Sequence, residues 1–552
     1  MISNDSSHRV LSGAVVSEHQ LASDIGKEIL LTGGNAADAI VATCIAVNTL
    51  CPWNSDIGGG GFAIIRTSQG DHHSIDFRHV APTAVTMEWL LNKSTAIGGS
   101  AVAVPGEVKG LEAIHERYGR VSWGRLFQPS IKMAREGMTM FTDLYETIVL
   151  ECKPAADGSL DHESWFATDP AFRDTFMRNG RMIPVGEKWS RPRYADTLEA
   201  IASSADAFYE GPIAESIVRT VKERGGLMNL NDMKNYKVNW NSPLQSTYRG
   251  KKIWTIPTPA SGAVFLAALN ILDQSPPPKA GFGSDFHRVT EALKFAYGLR
   301  TQLGDPDFVP GMDDYQAECI SHENALARSL LISEDSTFPP EFDVGNDHGT
   351  SNITVADSDG LVISITTSVG LNFGSRIMVP ESGIVLNSEI DDFSIEGRSN
   401  SVGYEASPAN FVEGGKRPLS SSCPYIIENE DGSPIAAGGS AGGSTIISAN
   451  VQVVRNLLDY GMTADESLRA SRLHNQLLPD ISYVEKDSFF GRTAVSGFSS
   501  AQVEDLKSKG HDIQWIPRNR STPCVIRILP GPRWDCGGEP RKFDSGGSVF
   551  QC

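Results

Sequence analysis

Apolar residues recur at helical spacing through 17–31 and again through 36–50, which predicts two helices. Gly33 and Gly34 end the first, Asn35 is placed to cap the second, and Pro52 lies just beyond it. Comparable patterns with helix-start signals predict further helices over 105–118, 122–136, 213–224 and 284–303. Short apolar runs between them have strand character, and one leaves the glycine cluster at 58–61. Helices and strands that alternate along the whole chain predict an α/β layer architecture rather than a bundle or a sandwich. Residues 333–348 (SEDSTFPPEFDVGNDH) are acidic, contain proline and show no period, so they read as a linker. No internal repeat is visible.

The stretch after that linker, from Thr350 to Ser368, alternates apolar and polar residues around Asp359 and Gly360 and predicts a β-hairpin. A three-residue loop of Ser358, Asp359 and Gly360, with Gly360 in the left-handed position of a bulged turn, sets Ile353 against Ile365 and Val355 against Ile363. A two-residue loop sets Ile353 against Thr366, so the first register is preferred. It also places Thr350 opposite Ser368, Asn352 opposite Thr366 and Thr354 opposite Ser364. One face of the hairpin is then wholly polar, which marks either a functional surface or the solvated side of an edge hairpin.

The chain has 552 residues, a net charge of −19 and a pI near 5.1. Such a surface repels phosphate backbones and anionic lipid, so nucleic acid is not an expected partner. With 40% hydrophobic and 21% charged residues the composition is globular, and the length corresponds to three or four domains at about 150 residues each. No apolar stretch is long enough for a signal peptide or a membrane span. A soluble protein is expected, cytoplasmic if Met1 is the native start and extracellular if a leader has been trimmed. The cysteines (Cys44, Cys51, Cys152, Cys319, Cys423, Cys524, Cys536 and Cys552) lack CxxC spacing and read mostly as buried fillers. His72 and His73 have no second ligand pair and read as a surface dipeptide, so no metal is expected. Sequons at Asn4, Asn92 and Asn352 carry weight only in a secreted protein.

Three glycine-rich segments are candidates for ligand contact. The first, 58–61, has neither the Lys-Ser/Thr of a phosphate loop nor the helix start of a dinucleotide fingerprint, and reads as a tight turn. The second, 438–443 (GGSAGG), follows the strand-like 435–437 and precedes an apolar helix over 446–458. That context fits a GxSxG nucleophile elbow on Ser440, with Asp480 and His511 as partners. The same consecutive glycine amides ahead of a helix also suit an oxyanion hole for a different nucleophile. The third, 537–547, reads as irregular loop.

Short segments in order along nearly the whole chain resemble γ-glutamyltranspeptidases. They are GGNAADA at 33–39, DFRHVAP at 76–82, VPGE at 104–107, LFQPSI at 126–131, HGTS at 348–351, SGIVLN at 382–387, DDFS at 391–394, KRPLSS at 416–421 and GSAGGS at 439–444. The resemblance implies a four-layer αββα N-terminal nucleophile fold, with a helix-rich large-subunit portion, that matures by cutting its own chain before a threonine. The matching bond is Gly349–Thr350, which divides the chain into 1–349 and 350–552, a heterodimer of its own cleavage products held in one intertwined unit. The linker is then the processing loop. By the same resemblance Thr350 attacks the γ-carbonyl, Ser368 hydrogen-bonds the nucleophile, and the amides of Gly442 and Gly443 form the oxyanion hole. Arg78, Ser420 and Ser421 match the residues that hold the donor's α-carboxylate, and Glu389 and Asp392 match those that hold its α-ammonium.

The chemistry of the residues agrees with this. A threonine hydroxyl is a weak nucleophile, and an α-amine with a pKa of about 7.7–8.0 on the same residue is a base already in place. Taken singly, Arg78 reads as well as a surface ion pair, and Ser420 with Ser421 as a turn. Two positions depart from the family: Gly370 stands where an asparagine usually helps to hold the donor, and Asn352 where a histidine is common. The N-terminal membrane anchor usual in eukaryotic members also has no counterpart. The expected activity is cleavage of the γ-glutamyl amide of glutathione, its conjugates or similar donors, with transfer to water or to an amine such as an amino acid or dipeptide. No metal or organic cofactor is needed for it. Three alternatives stand beside this one: a same-fold acylase with another acyl donor, suggested by Gly370; a serine hydrolase using Ser440; and an unprocessed binding protein with the same pocket.

Overall fold

A computed structural model describes residues 12–161, 163–278, 281–283, 285–338, 349–397, 406–490, 493–518, 521–531 and 533–551. Two antiparallel sheets occupy its middle. The larger has the strand order Gly546–Gln551, Ser12–Ser17, Gly349–Asp357, Val362–Gly370, Gly60–Arg66, His72–Phe77 and Asn239–Asn241. The smaller has the order Arg533–Gly537, Thr522–Leu529, Pro434–Ala441, Tyr425–Glu428, Lys251–Thr255 and Leu244–Tyr248.

Successive side chains of a strand point to opposite faces, and both faces here carry apolar clusters. Ala14, Val16, Phe62 and Ile64 meet Ile426, Ala437, Cys524 and Ile526 in one core between the sheets. The alternate residues Val15, Ile65, Ile353 and Ile365 pack instead on helices that include Ala36–Leu50 and Glu107–Tyr118. On the far side Ile253, Ile427 and Val525 pack on Gly262–Asp273, Phe286–Arg300 and Thr445–Leu458. The order is therefore helix, sheet, sheet, helix, the αββα arrangement expected from the motifs.

Local signals place most helices well. Asn35 caps Ala36–Leu50 in a reciprocal capping box with Asp38. The other predicted helices appear as Glu107–Tyr118, Trp123–Glu136, Pro212–Glu223 and Phe286–Arg300. Four readings are corrected. The helix predicted from residue 17 starts at Gln20, because Ser12–Ser17 is recruited as a strand and His19 caps the helix after it. The C-terminal glycines are not all loop: Gly546 and Gly547 open an edge strand that pairs with Ser12–Ser17, where a Cβ on Gly547 would meet Cys536 Sγ at 2.6 Å. His72 is not a surface residue, since its ring stacks on Trp254 of the other sheet at 3.9 Å and Nε2 lies 3.1 Å from Glu428. Asn352 is wholly buried, which removes its sequon.

Five of the cysteines are buried, Cys152 and Cys536 are half-buried, and the described residues contain no disulfide. Cys552, Asn4 and residues 339–348 of the linker lie outside the described residues. Among the described residues no helix is long and apolar enough to cross a membrane.

Candidate active site

The hairpin of Gly349–Asp357 and Val362–Gly370 is central in the larger sheet. Its pairs Asn352–Thr366, Ile353–Ile365, Thr354–Ser364 and Val355–Ile363 are those of the three-residue loop, and Gly360 has φ +82°. The polar face is neither solvated nor at an edge. Asn352 Nδ2 donates to Ile365 O at 2.9 Å and to Thr366 Oγ1 at 3.2 Å, and Ser364 Oγ donates to Gly438 O of the facing sheet at 3.0 Å. A Cβ on Gly439 would collide with the Asn352 amide. Part of the glycine-rich strand thus exists to let two sheets approach over a polar seam.

At its open end the ladder breaks. Ser351 pairs with Thr367 but Gly349 pairs with Gly370, so Ser368 and Val369 together face Thr350 alone. Such a bulge re-aims side chains. Thr350 Oγ1 donates to Ser368 Oγ at 3.4 Å, and the Gly370 N–H donates to the same oxygen at 2.9 Å. The expected meeting of Thr350 with Ser368 is made by side chains, not by a ladder pair. In the continuous strand the Thr350 nitrogen is a peptide nitrogen and has no basicity.

Thr350 and Ser368 form one wall of a cavity closed by Arg78, Asp392, Ser420, Ser421 and Gly443. Its volume is about 30 Å³, which is room for water rather than for an amino acid. The cause is electrostatic. Arg78 is buried, its Nη1 is 2.5 Å from Glu389 Oε2, its Nη2 bonds Asp392, and its Nε donates to Pro418 O at 3.2 Å. Burial pushes the Glu389 carboxyl up to about 8, against the downward pull of Arg78. The expected anchors for a carboxylate and for an ammonium are therefore engaged with each other across the pocket. Ser420 Oγ is held toward Ser422 Oγ at 3.0 Å.

Gly442 and Gly443 have φ values of +118° and +58°, and turn the chain between Pro434–Ala441 and Thr445–Leu458. Gly443 lines the small cavity, whereas Gly442 and Thr350 line a second one of about 550 Å³ on the other side of the nucleophile. Arg376, Arg518 and Lys542 are among its walls. Ser440 is buried within the strand, and its hydroxyl donates to Ala441 O at 2.9 Å. Asp480 pairs with Lys294 at 2.8 Å and His511 with His287 at 2.7 Å, so the elbow reading does not gain its triad.

Three residues near Thr350 carried no signal in the sequence. Glu18 is buried, with burial as the main cause of a pKa near 7, and accepts from Asn54 at 2.7 Å and from Ser351 Oγ at 3.1 Å. Ser388 Oγ accepts the Leu371 N–H at 2.9 Å and sits where a Cβ on Gly370 would lie. With φ at +90° as well, a side chain at position 370 would have to displace the Ser388 hydroxyl from a left-handed backbone position. The third is His79, wholly buried beside Arg78 and Glu389. Among the described residues His287, Glu291 and His511 bring ligand atoms within 4.8 Å of one another. Those atoms are already engaged, since Glu291 accepts from Thr337 and Phe338, and the Lys294 ammonium 3.7 Å from Glu291 opposes a second cation.

Comparison with known proteins identifies the family. The family model for gamma-glutamyltranspeptidase matches residues 22–549. A glutathione hydrolase proenzyme of Arthroderma benhamiae is 38% identical over 97% of this chain and 92% of its own length. The glutathione hydrolase proenzyme of Escherichia coli K12 is 33% identical over 97% and 91%. Among solved structures, cephalosporin acylase from Bacillus halodurans superposes with a TM-score of 0.82 at 26% identity, covering 100% of this chain and 98% of that one. The gamma-glutamyltranspeptidase of Helicobacter pylori gives 0.54 at 31% identity over 58% of this chain and 92% of that one. With a matching profile along almost its whole length and relatives above 30% identity over 97% of the chain, this protein belongs to the γ-glutamyltranspeptidase family.

Proposed function

We propose that this chain is an autoprocessed γ-glutamyl hydrolase and transferase that acts on glutathione or glutathione conjugates. Cleavage of the Gly349–Thr350 bond yields chains 1–349 and 350–552 and turns an inert amide nitrogen into an α-amine. That amine takes the proton of Thr350 Oγ1 as the oxygen attacks the donor's γ-carbonyl carbon. The donor's α-carboxylate sits on Arg78, Ser420 and Ser421, and its α-ammonium between Glu389 and Asp392. Negative charge on the former carbonyl oxygen is met by the amides of Gly442 and Gly443, and Ser368 holds the Thr350 hydroxyl in line. The C–N bond then breaks, the leaving amine takes the proton, and water or an acceptor amine resolves the ester in the reverse sense. The larger cavity beyond Thr350 offers room for the leaving group and the acceptor.

The observation that carries the reading is one cavity walled by Thr350, Ser368, Arg78 and Asp392. The glutathione hydrolase names of the relatives support the substrate. A denaturing gel of wild type and Thr350→Ala, with N-terminal sequencing of the smaller fragment, tests it. Wild type is expected to give two fragments, the smaller starting at Thr350, and the variant one inactive chain of 59.6 kDa. An intact wild type, or a cut elsewhere, would overturn the mechanism. Gly370 and the likeness to a cephalosporin acylase favour a second reading, a different acyl donor. Glutaryl-p-nitroanilide cleaved faster than γ-glutamyl-p-nitroanilide would select it.

A further inference from the structure

His79 is wholly buried, and neither ring nitrogen makes a hydrogen bond of good geometry, the Ser368 backbone being its nearest hydrogen-bonding neighbour. A buried polar group left unpaired costs about 1–3 kcal/mol, and such groups are rare enough in native proteins to need a reason. The ring stands beside two parts of the site at once. Its Nδ1 is 3.9 Å from Glu389 Oε1, about an ångström beyond a hydrogen bond, and it lies against the Ser368 backbone. Glu389 is equally confined: its other oxygen touches Arg78 at 2.5 Å, the Asp392 and Ser368 side chains are its other polar neighbours, and neither oxygen makes a hydrogen bond of good geometry. Burial, and then the Arg78 charge, hold His79 well below its ordinary pKa, so the ring is neutral and carries one N–H.

This pairing has a consequence when a zwitterion enters. The donor's carboxylate competes with Glu389 for Arg78, and a carboxylate that lost its arginine in this buried place would be strongly destabilised. We propose that His79 is a positioning residue: as the donor's α-carboxylate takes Arg78, Glu389 moves about 1 Å onto the Nδ1–H of His79 and from there receives the donor's α-ammonium. The inference rests on the γ-glutamyl donor reading given above. It gives His79 a share in selecting donors that carry an α-ammonium over des-amino acyl donors of the same length.

The test uses the geometry of amide side chains. The Asn amide nitrogen falls near the place of His Nδ1, whereas the Gln amide nitrogen falls near Nε2. Purified, chain-cleaved wild type, His79→Leu, His79→Asn and His79→Gln are compared with γ-glutamyl-p-nitroanilide as donor and glutaryl-p-nitroanilide as competitor, with thermal melts as the check on folding. Leu and Gln are expected to raise KM about tenfold, the loss of one hydrogen bond to a charged group, with kcat within about twofold. Asn is expected to restore KM to within about threefold, and the competitor's inhibition constant to shift less than KM. Equal KM in all four proteins, or parallel losses in Leu, Asn and Gln, would overturn the role. A cleaved wild type that binds glutaryl but not γ-glutamyl anilide would overturn the donor reading itself, and this role with it.

Discussion

Arg472, Glu485, Glu539 and Arg541 are buried together, and their charges cancel two against two. Arg541 grips both oxygens of Glu485 at 2.6 Å and reaches Glu539 at 3.0 Å, while Arg472 takes the other Glu539 oxygen at 2.8 Å. Backbone carbonyls of Leu468 and Ala470 use further guanidinium protons. Around Arg78 the arrangement differs: Glu389 and Asp392 both contact one guanidinium, next to a histidine whose ring makes no hydrogen bond of good geometry. Both clusters bind parts of the chain far apart in sequence and both border a cavity that Thr350 lines: Glu539 and Arg541 stand in the wall of the larger one, Arg78 and Asp392 in that of the small one. The two-against-two cluster ties strands and loops together, whereas the Arg78 cluster walls the small cavity beside Ser368.

The sharpest way to break this contrast is to remove each arginine. Arg78→Gln leaves Glu389 and Asp392 facing each other without their shared cation, and kcat/KM for γ-glutamyl-p-nitroanilide should fall by a factor of about 100 or more, the cost of stripping one member from a buried ion pair. Chain cleavage should persist, since Arg78 binds donor and not the Gly349–Thr350 bond. Arg541→Leu should behave oppositely, lowering unfolding stability by about 3–5 kcal/mol in a denaturant titration while the folded fraction keeps its KM. A large KM change in Arg541→Leu would remove the distinction.

A smaller effect comes from pH. Glu389, pushed up to about 8 by burial, is only partly ionised at pH 7, and the carboxylate form that Arg78 and the donor's ammonium require becomes populated as pH rises. Donor affinity should therefore improve from pH 7 to 9, read as a falling KM, and Glu389→Gln should flatten that limb. Glu485 is held below its ordinary value by Arg541 and Arg472 despite burial. Its stabilisation is present above the unfolded carboxylate pKa and is lost only as pH falls into the acid range, so melts should be level from pH 7 to 9. The smallest effect is expected of Ser440→Ala, which removes one local hydrogen bond worth about 0.5–1.5 kcal/mol. It should leave activity and chain cleavage intact, and loss of either would revive the elbow.

Much of the fold was legible because its signals are local. Asn35 and Asp38 cap a helix within four residues, and a run of alternating residues around Gly360 sets the hairpin register. The bulge at Thr350 was not legible, since it follows from the pairing of Gly349 with Gly370 at the far end of that register. Nor was Ser388 beneath Gly370, which turns an apparent loss of a donor contact into a matter of space and backbone conformation. His72 was misread because its partners, Trp254 and Glu428, lie in the other sheet.

The sequence by itself determined the elements, the hairpin register and the family, because periodicity, caps, turns and ordered motifs are properties of neighbouring residues. Tertiary structure alone decided that Arg78 meets Glu389 and Asp392, that the polar hairpin face lies between two sheets, and that His79 is buried beside Glu389 and the Ser368 backbone. The physical reason is that these contacts depend on how two sheets stack and on which buried charges the stacking leaves unsatisfied, and no local pattern carries that count.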